Sequence, residues 1–275
     1  MPRKFTLGPI GCGVLLVMYI LGSIVNAFTP DSPPSAAPRP TYSASAEPTP
    51  AGTDTATPTP TPTASENTSA QPGTALAVLD TLAVKELGPQ SGYDREADFG
   101  SPWIDVDGNG CDTRNDILRR DFEDITRQDW CLVYTGVIED PYTGEVITFT
   151  RGRGTSNAVQ IDHIVALSNA WKTGAPAWSQ DKRIAFANDP LNLVAVDGPT
   201  NGAKGDDSAD WWLPPKRSIW CWYVAHQVSV KSEYGLWVTP DEKVAMKEVL
   251  TTCPTQKAFT SDYPELVAKG ELYTR

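Results

Sequence analysis

Histidine is nearly absent from this chain. Two occur in 275 residues, His163 and His226, so imidazole chemistry has only two places to reside. Cysteine is scarce as well, five in all, and no two stand in a Cys-x-x-Cys pair. That spacing argues against a structural zinc site. Basic charge is in deficit: 23 Lys and Arg against 34 Asp and Glu give a formal net charge of -11. Such a deficit argues against wrapping nucleic acid on a broad basic face, and against tight sequence-specific DNA binding. It leaves room for an enzyme that needs only a local phosphate site beside a cation. Between Arg151 and Arg217 eight Lys/Arg stand against seven Asp, so the centre of the chain is close to neutral.

A long apolar run occurs once, near the start. After Pro2-Arg3-Lys4 no charge appears until Asp31, and Gly13–Ile20 (GVLLVMYI) is continuously apolar. As a signal peptide, Val25-Asn26-Ala27 places small residues for cleavage after Ala27. As an uncleaved anchor, residues 8–28 are long enough to cross a hydrocarbon core of about 30 Å. Residues 1–28 are thus read as a signal peptide or signal anchor, with a membrane tether through 8–28. Either reading places the protein outside the cytoplasm, secreted or held at the membrane. Residues 29–72 are Pro, Ser, Thr and Ala with almost no aliphatic side chains, too little apolar area to offset chain ordering, and read as a disordered stalk. The foldable part is residues 73–275, enough to bury a sizeable core as one domain.

Four cysteines follow the stalk: Cys111, Cys131, Cys221 and Cys253. An even number in an oxidising compartment suggests two disulfides. Of three connectivities the local one is preferred, Cys111–Cys131 and Cys221–Cys253, because each pair brackets a compact unit.

Along the domain, Ala75–Glu86 carries apolar residues at helical spacing. Asp105–Asp116 (DVDGNGCDTRND) matches several positions of a calcium loop, but its last position is Asp rather than Glu and its eighth is Asp112. The preferred reading is an Asx/Gly turn leading into a helix at 113–122. Cys131–Thr135 and Glu145–Thr150 form a hairpin around DPYTG. Arg151 and Arg153, on a glycine loop, are either phosphate contacts or a solvated turn. Near the end, Ile219–Tyr234 reads as a helix stopped by Gly235. Thr239-Pro240-Asp241-Glu242 then starts another that ends near Thr252. His226 falls on the apolar face of the first of these and is read as a packing residue.

The chemistry concentrates in Ile161–Trp212. Val159–Val165 alternates toward a short buried strand carrying Asp162 and His163, and Leu191–Val196 is a second strand. A turn at Asp197-Gly198-Pro199 then leads into a helical segment from Thr200 through Asn201, Lys204 and Asp206. A phosphodiester is a poor electrophile with a poor leaving group. Its hydrolysis is helped by a cation that stabilises developing charge and by a neutral imidazole that activates water. An imidazole with an unperturbed pKa of ~6.5 suits that task at physiological pH.

Asp162-His163-Ile164, Asn192 within PLNLV, and Asn201-x-x-Lys204-Gly-Asp206 resemble the motif of the HNH (ββα-metal) endonuclease superfamily. The likeness is to its exported bacterial branch, related to nuclease domains of modification-dependent restriction enzymes. CDTRNDIL, WWLPP and YGLWVTPDEK extend it over roughly 76–253. The resemblance implies an α+β fold, a ββα-metal core embedded in a mostly helical domain behind the stalk. It implies that Asp162 and Asn201 bind one divalent cation, Mg²⁺ or Mn²⁺, and that His163 is the general base. Asn192 would orient the His163 loop, Lys204 would meet a phosphate oxygen, and Asp206 would stand in an outer shell. The partner implied is a nucleic acid substrate, DNA favoured over RNA, acted on by a monomeric, weakly selective hydrolase. Two alternatives stand beside this reading: an inactive, surface-tethered binding protein on the same scaffold, and a calcium-stabilised wall-binding module built on Asp105–Asp116.

Overall fold

The computed structural model describes residues 70–272. Thr74 caps α1 (Ala75–Thr81) through its side-chain oxygen, and the expected helix stops five residues early, where Val84 bridges to Val238. Then follow α2 (Arg95–Phe99), α3 (Thr113–Asp121), and a three-stranded antiparallel sheet of β1 (Glu123–Arg127), β2 (Val133–Glu139) and β3 (Val146–Thr150). Asp112 caps α3, and the Asp105–Asn109 carboxylates and amide hydrogen-bond the turn's own backbone at Gly110, Asn109 and Cys111. These are the hydrogen bonds of an Asx turn.

The centre of the domain is a two-stranded antiparallel sheet of β4 (Val159–His163) and β5 (Leu193–Asp197). Between the two strands the chain inserts α4 (Leu167–Lys172) and α5 (Gln180–Asn188); after β5 it turns at once into α6 (Gly198–Lys204). Register pairs Asp162 with Val194 and His163 with Leu193. Side chains alternate along a strand, so the sheet is buried on both sides. Val194 and Val196 enter one core with Tyr142 and Tyr223, while Leu193, Ala195 and Ile161 enter another with Phe122 and Phe149. Continuous burial on both faces explains why LVAV is an unbroken apolar run.

Helix α6 packs on both strands, giving a strand–strand–helix arrangement. Its first residue must be glycine, since a Cβ at Gly198 would lie 2.1 Å from the carbonyl oxygen of Asn157. Helices α7 (Trp220–Tyr234) and α8 (Pro240–Thr251) buttress this unit. Gly235 ends α7 with φ 71°, a left-handed conformation that glycine adopts without steric cost. Thr239 and Glu242 form a reciprocal capping box at α8. A short α9 (Tyr263–Lys269) closes the described chain. Cys111 is bonded to Cys131 and Cys221 to Cys253, with Cα separations of 5.5 and 6.4 Å.

The expected membrane crossing is corrected. Among the described residues no helix is long and apolar enough to span a bilayer; the longest, α7, has 15 residues and carries Lys231 and Glu233, where about 20 apolar residues are needed. Residues 8–28, and the stalk 29–69, lie outside the described residues.

Candidate active site

His163 ends β4 and is held from two directions by one segment, Ala187–Asn192. Its Nε2 lies 2.9 Å from the carbonyl oxygen of Ala187 at the end of α5. A carbonyl only accepts, so Nε2–H donates, and in the neutral ring Nδ1 is the unprotonated nitrogen. The turn after α5 is fixed by Asp189. That carboxylate accepts from Leu191 N at 2.8 Å, from the Tyr234 hydroxyl at 2.8 Å and from Ser261 at 2.6 Å. Asn192, fully buried, then accepts from Val165 N at 2.8 Å and donates to Val165 O at 3.2 Å, while its own carbonyl accepts from Ile164 N at 2.8 Å. The backbone following His163 is therefore pinned by both ends of Asn192.

A small cavity opens beside the imidazole, lined by Arg95, Phe99, Ser101, Trp103 and His163. Trp103 stacks on the His163 ring, 5.8 Å between centroids and 12° from parallel, at a backbone φ of 62°. Arg95 is exposed. Burial first, then the Arg95 charge, pulls the His163 pKa from its ordinary value down to about 4, so the ring is neutral across the physiological range. Arg95 and Trp103 were not legible as site residues. Arg95 opens α2 and Trp103 lies in the turn after it, 60 or more residues upstream, and only the packing of α2 against α5 brings them here.

On the opposite face of β4 lies Asp162, 4% exposed. The Tyr142 hydroxyl donates to its Oδ2 at 2.5 Å, and the Lys204 ammonium sits 2.8 Å from Oδ1. Lys204 Nζ also donates to the His163 carbonyl at 2.8 Å. Lys204 is 0% exposed; the residue expected to meet a phosphate is instead committed to Asp162. Asn201, one turn earlier on α6, donates its amide to Gln160 Oε1 at 2.9 Å, which leaves Oδ1 as its acceptor. Gln160 and Asp162 share one face of β4, so Asn201 and Lys204 lie along the same helix–strand seam. Asp206 accepts from Ser168 at 2.6 Å and Lys172 at 2.7 Å, tying the end of α6 to α4; these two partners hold its carboxyl below the usual range.

The donor set tests whether a metal fits. Among the described residues no three or more His, Cys, Asp or Glu gather as a metal centre. One carboxylate and one amide oxygen are hard donors, and a cation already stands on the carboxylate in the form of the Lys204 ammonium. With Tyr142 on one oxygen of the buried Asp162 and Lys204 on the other, the two donors do not form an open cation site in this structure.

The other sequence candidates are placed elsewhere. Arg151 donates to Val133 O at 2.6 Å and Asn115 Oδ1 at 2.8 Å, joining β3 to α3 and β2, and Arg153 is exposed. His226 packs between Trp222 and Phe259, centroids 4.1 and 3.8 Å away.

A strand–strand–helix unit with a buried Asp-His pair defines the class, and the family follows from comparison. The family model "GmrSD restriction endonucleases, C-terminal domain" matches residues 112–249, from the cap of α3 to the last turn of α8. The chain belongs to this family, and its domain is related to the nucleases of restriction enzymes. It is also 42% identical over 182 residues to a protein described as an uncharacterized secreted protein of Arthroderma benhamiae, covering 66% of this chain and 85% of that one. No solved structure matches the chain.

Proposed function

We propose that the protein is a secreted endonuclease that hydrolyses phosphodiester bonds of nucleic acid, DNA in preference to RNA, with weak sequence selectivity. One observation carries the reading. His163 is locked as a neutral ring whose Nε2–H is given to Ala187 O, so Nδ1 is the nitrogen that takes a proton from an attacking water. Asn192 sets the backbone on which that ring sits. Arg95, on the rim of the same cavity, receives the phosphate. A buried imidazole with a pKa of about 4 is a weak base in the free protein. An arriving phosphodiester monoanion favours its protonated form and strengthens it as an acceptor.

Asp162 and Asn201 are the hard donors that the family resemblance assigns to one Mg²⁺ or Mn²⁺; Asp162 faces away from His163 across β4 with both its oxygens engaged, so the step at His163 is derived without the ion. The acidic surface fits an enzyme that engages phosphate locally and releases product, rather than one that coats a duplex. Export is supported by the apolar start of the chain, by the two disulfides, and by the secreted relative.

The test is conversion of supercoiled plasmid and of a structured RNA by the purified protein, with Mg²⁺, Mn²⁺ or EDTA. Nicking that requires the ion and is lost in His163→Ala supports the reading. A protein that binds but never cleaves either substrate would favour the inactive scaffold.

A further inference from the structure

We propose that Asn188 is a further catalytic residue, whose Oδ1 holds the attacking water against Nδ1 of His163. The proposal rests on the reading of His163 as the base that activates that water.

Asn188 is the last residue of α5 and follows Ala187, whose carbonyl fixes the His163 tautomer. It is 2% exposed, and its Nδ2 donates to Ile184 O at 2.9 Å. A carbonyl only accepts, so the amide cannot be turned the other way round, and Oδ1 is fixed as the opposite end. Among the described residues that oxygen has no hydrogen-bond partner. An unpaired buried acceptor is costly and calls for a donor. Asp105 and Gln227 also carry such an oxygen, but neither lines the cavity beside His163, whereas Asn188 does.

The cavity has room for the donor. Its volume is about 20 Å³, and a single water needs roughly 10–15 Å³ and about two to four polar partners. Phe99, Pro102 and Leu167 give it apolar walls, so a water there takes its hydrogen bonds from the polar groups of the lining. Its two hydrogens have two acceptors, the unprotonated Nδ1 of His163 and Oδ1 of Asn188. With both hydrogens given away, the oxygen turns its lone pairs toward the rim, where Arg95 receives the phosphate.

In the step, one water proton moves to Nδ1 as the bond from the water oxygen to phosphorus forms. The other hydrogen stays on that oxygen, now part of the phosphate, and remains bonded to Oδ1. The bond from phosphorus to the leaving oxygen breaks, its electron pair departs with that oxygen, and solvent water protonates it. An amide accepts at this place without adding a charge that would repel the phosphate.

The experiment measures kcat and KM for plasmid nicking, per folded molecule, in wild type, Asn188→Leu, Asn188→Asp and His163→Ala. Leucine has nearly the shape of asparagine and no acceptor. Asn188→Leu should lower kcat about tenfold to a hundredfold, the cost of a misplaced reactant, and leave KM within about twofold, because the phosphate is held elsewhere. A residue that only packs would leave kcat in place. Asn188→Asp keeps an acceptor and adds an anion beside a ring already under the charges of Arg95, Asp162 and Lys204. It should move the acid limb of kcat upward by about one pH unit or more.

A kcat within about twofold of wild type in Asn188→Leu overturns the proposal. Where that variant does not fold, an acid limb unmoved in Asn188→Asp overturns it. Loss of nicking in His163→Ala in the same assay then leaves the base reading standing alone. Nicking retained in His163→Ala, or absent from wild type, overturns both.

Discussion

The two histidines of this chain have similar electrostatics and different surroundings. Burial is the first cause that pulls each to a pKa of about 4, and each gives a ring nitrogen to a backbone carbonyl, His163 to Ala187 and His226 to Trp222. What differs is the neighbour on the remaining side. His226 lies between two aromatic rings, Trp222 and Phe259; His163 has one, Trp103, and beside it a cavity with an arginine on its rim. A lowered pKa, with burial as its first cause in both, does not tell the two apart. The cavity and the pinned loop separate a base from a packing residue.

Acid should produce the largest effect. Between pH 6.5 and about 4 the unfolded chain takes up protons at both histidines and the folded chain does not, so stability is lost as pH falls through that window. The loss is roughly 2–3 kcal/mol per histidine, read as a falling melting temperature. His226→Phe keeps the stack and removes one titration, so its melt should show about half the histidine-dependent slope. A slope unchanged in His226→Phe would show that His226 does not titrate as its burial requires.

Asn192→Ala comes next. Losing both bonds to Val165 releases the loop behind His163, and misplacement of the base by about 1 Å costs on the order of a hundredfold in rate. Nicking is measured well below the melting temperature, with the pH profile of residual activity recorded. A rate within twofold of wild type would remove Asn192 from the positioning role.

Arg95→Gln should have the smallest effect and act at one histidine alone. It should weaken nucleic acid binding several-fold, read as a higher KM. It should also move the acid limb of the activity profile upward from about 4 toward 6.5, because the Arg95 charge helps hold the His163 pKa down. An acid limb that stays in place would separate Arg95 from the site.

Much of this arrangement was legible in the sequence where the determinants are local. The end of α7 at Gly235 and the start of α8 at Thr239 follow from cap chemistry written in consecutive residues. Strands β4 and β5 and helix α6 follow from apolar runs and the Asp197-Gly198-Pro199 turn. Three features were not legible. Strand β1 (EDITR) is exposed except for a half-buried Ile125, and its pairing with β2 is broken by register shifts, with Asp124 at a φ of 49°. Helices α4 and α5 lie inside a chain segment whose role is to bring Ala187 and Asn192 back to His163, a contact made 24 and more residues away. The burial of Lys204 was also hidden. A lysine at a helix end reads as solvated or phosphate-bound until Tyr142, from the β2–β3 turn, is seen to close over Asp162.

The central claim is that His163, and not His226, is the base of a phosphodiester-cleaving site. The most direct measurement compares plasmid nicking and thermal melting of His163→Ala and His226→Ala side by side. His163→Ala should lose about 10²- to 10⁴-fold in nicking per folded molecule, beyond the stability lost by truncating a buried ring. His226→Ala should nick at the wild-type rate per folded molecule while melting lower by an amount worth about 2 kcal/mol or more. Nicking retained in His163→Ala would contradict the account.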